Sequence, residues 1–221
     1  MASHRSLERD ILACRRCPRL TAALAEYRAA HPESHSAPVP AAGTAAARLL
    51  IIGLAPGRKG ANQTGRVFVG DFSGRFLHES LHRLGLASSP DPFQAALHGV
   101  RMTNVVKCWP PGNKPGTEEI SNCRPLLDRE LELFWRPRVR APRSILCLGR
   151  IAHEVALRQI AQRLPDTALL PDFGHARSTW LASNLKWTTS YHPSLQNVNT
   201  GRLDAPMLDA ALAQWADLQA P

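Results

Sequence analysis

Residues 48–54, Arg-Leu-Leu-Ile-Ile-Gly-Leu, form a short apolar run of the kind that becomes a buried strand. A long stretch of glycines, prolines and polar residues follows it, from Ala55 through Asp71. An extended loop at the carboxyl end of a parallel strand is where open α/β sheets hold their ligands. This loop combines glycines that let backbone approach a ligand, an aromatic surface at Phe68 and a carboxylate at Asp71.

The remaining pattern alternates strand and helix. Residues 3–30 read as helix, broken or restarted at Pro18, and 32–47 as a proline-, alanine- and serine-rich surface loop. Ser73 is expected to cap a helix bearing Phe76, Leu77, Leu81 and Leu84. Val100–Val106 reads as a second strand, and a helix starts at Thr117 beyond the breakers Pro110–Pro115. A strand at 144–149, a helix at 150–164, one or two strands within 178–190 and an amphipathic helix at 205–218 complete the chain. This order predicts a three-layer α/β/α fold around a central, mainly parallel four-stranded sheet, with residues 1–221 as one domain.

No segment reaches the roughly eighteen consecutive apolar residues of a membrane span, and the N-terminus lacks the apolar core of a signal peptide. A cytoplasmic protein is expected, in which five cysteines suggest metal or free thiols before disulfides. Cys14 and Cys17 form a C-x-x-C pair, while Cys108 and Cys123 lie just after the second strand and in the following helix. Two such pairs suit tetrahedral zinc and a [4Fe–4S] cluster equally. Cys147, inside Ile145-Leu146-Cys147-Leu148, reads as a packed free thiol. The net charge of +9 fits a polyanionic partner, although a solvated basic surface has the same composition.

A second motif, Tyr191-His192-Pro193-Ser194-Leu195-Gln196-Asn197, follows a late strand. With Gly53-Leu54-Ala55-Pro56-Gly57, Phe68-Val69-Gly70-Asp71 and Thr200-Gly201-Arg202, it resembles the paired motifs of the uracil-DNA glycosylase superfamily, most closely family 5. The resemblance extends from Cys14 to about Leu203. It implies excision of uracil, and of other deaminated bases such as hypoxanthine and xanthine, from a nucleotide flipped out of preferably double-stranded DNA. It further implies a [4Fe–4S] cluster on Cys14, Cys17, Cys108 and Cys123; a monomer is expected separately, because the sequence carries no long heptad or other dimer signature. Gly53, Phe68 and His192 would contact the base: Phe68 by stacking, His192 by donating to a carbonyl oxygen as charge builds there. Asn104 matches an asparagine that reads the base edge in family 4, where family 5 members often lack a polar residue, so its two readings are base contact and a buried strand amide.

Leu195, Gln196 and Asn197 match the loop that fills the space left by the flipped base. Arg58, Lys59, Arg66 and Arg202, with Lys107 and Lys114, are candidate phosphate contacts. The sequence departs from the better-known enzymes at Leu54 and Ala55, where they carry a polar or acidic residue; family 4 has glutamate at the position of Leu54. Asp71 is the substitute expected to orient water and stabilise an oxocarbenium-like sugar, its competing role being that of a helix cap. A catalytically silent iron–sulfur DNA-binding protein and a cluster- or zinc-bearing redox protein are the alternatives. The apolar Leu54–Ala55 pair supports the first, and no spare cysteine pair supports the second.

Overall fold

The computed structural model describes residues 3–135, 140–165 and 169–219. Helices α1 (His4–Leu12) and α2 (Pro18–Ala30) lead into a short edge strand β1 (Ala42–Gly43) and then β2 (Leu49–Gly53). A single turn, α3 (Ala61–Thr64), and helix α4 (Phe72–Arg83) precede β3 (Val100–Asn104) and α5 (Thr117–Phe134). β4 (Arg143–Leu148), α6 (Arg150–Ala161), the pair β5 (Arg177–Ala182) and β6 (Leu185–Ser190), the short α7 (Leu195–Asn199) and α8 (Ala205–Ala216) follow.

The strands form one sheet in the order β1-β3-β2-β4-β6-β5. β3, β2, β4 and β6 are parallel, and β1 and β5 run antiparallel at the two edges. The expected four-stranded sheet is therefore the parallel centre of a mixed six-stranded one. β1 lies in what the sequence presents as loop, because two residues paired to β3 carry no periodic signal.

Alternation along the central strands builds the two cores. Leu50 and Ile52 of β2, with Ile145 and Cys147 of β4, face α1, α2, α5 and α6. Leu49 and Ile51, with Leu146 and Leu148, face α4 and α8. Strands buried on both faces become continuous apolar runs, which is why 48–54 stood out. Cys147 is fully buried with a free thiol that burial pushes well up, as its apolar neighbours implied. No helix among the described residues is long and apolar enough to cross a membrane.

β2 leads through α4 to β3 on one side, and the chain then crosses back through α5 to β4 on the other. Open α/β sheets bind ligands at such a reversal, beyond the carboxyl ends of the strands. Here those ends are Asn104, Gly53, Leu148 and Ser190.

Candidate active site

A cavity of about 460 Å³ opens at this edge of the sheet, bounded by Leu54, Phe68, Asp71, Asn104, His192 and Gln196 among others. Both halves of the motif pattern thus converge. Gly53 ends β2 opposite Asn104 of β3. A Cβ at position 53 would stand 2.5 Å from Asn104 Oδ1 and 2.7 Å from Phe68 Cζ, so glycine is what lets these two side chains meet. Phe68 itself has φ +55°, a left-handed conformation that costs a bulky residue roughly 1–3 kcal/mol. α4 braces it, since Gly74 packs against the Phe68 carbonyl with no room for a Cβ.

Asp71 is placed so that neither of the two readings offered by the sequence excludes the other. It is the N-cap of α4, its Oδ1 accepting from the Gly74 amide at 2.9 Å, so the cap falls two residues before the expected Ser73. It also borders the cavity, with Oδ2 seated against Gly57 and Gly60, where any side chain would collide with it. Burial raises the Asp71 carboxyl above its ordinary value, opposed by bonds from the Gly74 and Ser73 amides.

His192 leaves β6 on the opposite wall, its ring centroid 6.5 Å from that of Phe68. Burial pushes its imidazole down to about 4. The ring is therefore neutral near pH 7 and keeps one N–H donor. Ser194 caps α7 through the Asn197 amide at 3.3 Å. The Asn197 side chain turns inward, its Nδ2 donating to the His192 carbonyl at 2.8 Å. Leu195, half exposed, projects from the first turn of α7, a helix where the sequence suggested a loop.

The candidate phosphate contacts fare differently. Arg58 is exposed, its guanidinium 5.4 Å from the Tyr27 ring and 5.9 Å from Trp109. Arg202 lies 4.5 Å over Tyr191. Arg66 donates to the carbonyls of Phe93 and Pro92, Lys59 is exposed, and Lys114 borders the cavity. Lys107 does not belong with them: it is 1% exposed and paired with Glu130 at 2.6 Å. Asn113, at φ +57° beside Gly112 in the turn Pro111–Asn113, reaches the same cavity. Its signal was the Pro-Pro-Gly-Asn breaker run, which sequence reading treated only as punctuation.

Beside α2, whose Leu20 and Thr21 help to line it, Cys14, Cys17, Cys108 and Cys123 share one small cavity. Burial, reinforced by the neighbouring thiols, pushes Cys108 up to about 12. Burial likewise raises Cys123 to about 11, with the Lys107 amide donating to its Sγ at 3.3 Å. Arg19 clamps the region with two 2.7 Å bonds to Glu119, tying α2 to α5. Among the described residues no group of three or more His, Cys, Asp or Glu side chains is disposed to hold a metal ion. The chemistry of the cysteine set fits a soft cationic group all the same: four thiols from distant parts of the chain meet in one place, where deprotonation is costly until positive charge arrives.

Residues 40–218 match the family model described as the uracil DNA glycosylase superfamily. The chain is 42% identical over 210 residues to a type-5 uracil-DNA glycosylase of Mycobacterium tuberculosis, covering 90% of this chain and 75% of that protein. It is 41% identical over 205 residues to the type-5 enzyme of Thermus thermophilus, covering 89% and 90%. A type-4 uracil-DNA glycosylase of Archaeoglobus fulgidus is 35% identical over 153 residues, 69% of this chain and 62% of that one. A cavity at the sheet's point of reversal and a match running through nearly every element that shapes it lead to one conclusion: the chain belongs to the uracil DNA glycosylase superfamily.

Proposed function

We propose that this protein is a monofunctional DNA glycosylase that hydrolyses the N-glycosidic bond of uracil in DNA and so opens base excision repair. The observation that carries the reading is the meeting of Phe68, Asn104, Asp71 and His192 around one cavity, in a chain about 40% identical to type-5 uracil-DNA glycosylases. A flipped uracil stacks on Phe68 while the Asn104 amide pairs with its edge. His192 donates its single N–H to a carbonyl oxygen, a bond that strengthens as the leaving base gains negative charge. Asp71 orients water toward the sugar and stabilises positive charge there. The apolar Leu54–Ala55 wall sets no misplaced polar group against a larger ring, so deaminated purines, hypoxanthine and xanthine, are further substrates.

The test is base release from a duplex containing one uracil. Free uracil and an intact abasic strand, cut only on later alkaline treatment, are expected. Binding without release would support a silent DNA-binding protein instead, and strand cleavage by the enzyme itself would remove the monofunctional assignment.

In this reading the protein works as a cytoplasmic monomer folded as one domain, on double-stranded DNA. Arg58, Lys59, Arg66 and Arg202 hold phosphates while Leu195 and Gln196 enter the stack. Leu195→Ala should then slow uracil release from duplex several-fold more than from single strands, because only the duplex has a gap to fill. Equal losses on both substrates would mean that α7 is not the wedge.

The four cysteines would hold a [4Fe–4S] cluster, which when bound supplies a tie between the N-terminal helices and the β3–α5 connection. The serine variant of Cys14 and Cys17 should lose brown colour and about four iron per chain, and should melt earlier. Cys147→Ser should keep its iron. Zinc without sulfide in anaerobically purified protein would overturn the cluster.

A further inference from the structure

The one buried lysine of the candidate phosphate set reaches both the cavity wall and the cysteine site. Lys107 directs its ammonium away from solvent onto three acceptors: Asn104 O at 2.6 Å, Glu130 Oε2 at 2.6 Å and Thr103 Oγ1 at 2.8 Å. Thr103 Oγ1 in turn donates to Glu130 Oε2 at 2.8 Å. An ammonium has three protons, so this one is fully used. Glu130 sits on α5, the helix that also bears Cys123, and the Lys107 amide donates to Cys123 Sγ. Replacing a buried ion pair by apolar groups is often neutral for stability, so stability alone is a weak reason to have one. What this pair does geometrically is fix the carbonyl of Asn104, just where β3 ends and the chain turns toward Cys108.

We infer that Lys107, held by Glu130 and Thr103, is the positioning residue for Asn104: its ammonium fixes the end of β3 so that the Asn104 amide meets the base edge in one orientation. This rests on the proposed role of Asn104 in base reading. Without the ammonium, the Asn104 carbonyl loses a charge-assisted bond and its peptide is held only through the Val105 amide, which donates to the Gly53 carbonyl at 2.9 Å, so the Asn104 side chain loosens from Gly53 and Phe68. Lys107 touches no substrate and acts only through Asn104.

The test removes both charges together, so that neither is left buried alone, as Lys107→Met with Glu130→Gln. The pair variant is expected to melt near wild type, retain its iron and slow single-turnover uracil release by about tenfold, with inhibition by free uracil weakened by a similar factor. In an Asn104→Ala background the same two changes should slow release less than twofold, since nothing remains to position. An unchanged rate in the pair variant, or an equal slowing in both backgrounds, overturns the inference. If the pair variant does not fold, Lys107→Gln with Glu130→Gln, too short to reach the Asn104 carbonyl, takes its place with the same expectations. Should the wild-type protein release no uracil, the functional reading fails by itself. The backbone resonances of Asn104 and Val105 then decide the positioning: a shift in the pair variant sustains it, and unmoved resonances refute it.

Discussion

Asp71→Asn should release uracil at least about 10²-fold more slowly than wild type in single turnover, the usual cost of losing a positioned general base, while melting at the same temperature or higher. The two halves of this result come from the two oxygens. Oδ1 caps α4 through the Gly74 amide, and asparagine caps as well as aspartate. Oδ2 lies against Gly57 and Gly60, with no room for a Cβ at either position. Burial raises the folded carboxyl above its ordinary 3.8, so its stabilising contribution is full below that value. It is lost as pH climbs through the raised one, and at neutral pH ionisation works against the fold. Asparagine removes that charge and keeps the cap. Circular-dichroism melts beside burst kinetics check both halves, and a near-wild-type rate would leave Asp71 as a cap and nothing more.

His192→Ala should slow release by a comparable factor, about 10², the range seen when one preorganised donor to a developing oxyanion is removed. The same substitution should alter how stability depends on pH. A histidine held near 4 in the folded state and 6.5 unfolded contributes stability that is complete above pH 6.5 and drains away as pH falls toward 4. Melting temperatures recorded from pH 7 to 4 should therefore fall less steeply in the variant. Some slope will persist, because burial also lowers His78, His153 and His175. A rate unaffected by His192→Ala would shift charge stabilisation to another group on the cavity wall.

The sequence carried the fold where a physical pattern repeats along the chain. Alternating apolar residues in β2 and β4 serve two cores at once and cannot be mistaken for loop. The two edge strands differ: β1, two residues long, escapes such reading, while β5 falls in the 178–190 segment read as one or two strands although it begins with the exposed Arg177 and Ser178. In the site, Phe68, Asp71, Asn104 and His192 were legible because short motifs after strand ends name them, and the topology gathers strand ends. That Asp71 both caps α4 and borders the cavity was hidden, since the sequence shows neither the direction of α4 nor what faces its first turn. Lys107 was misread because a lone lysine near a motif looks solvated, and its partner Glu130 stands on a helix that no local pattern connects to β3. Asn197 was expected to face DNA and instead braces the His192 backbone, a distinction that depends on α7 being helical.

The clamp between Arg19 and Glu119 closes across 100 residues of chain, and α1 packs on the same helix α5. During synthesis the first thirty residues therefore emerge long before the surface that receives them exists. Contacts so distant in sequence form late, after the entropy of a large loop has been overcome. The N-terminal helices are therefore expected to dock only once β3 and α5 are made, and the cysteine site, which draws on both ends of that interval, to assemble late in folding.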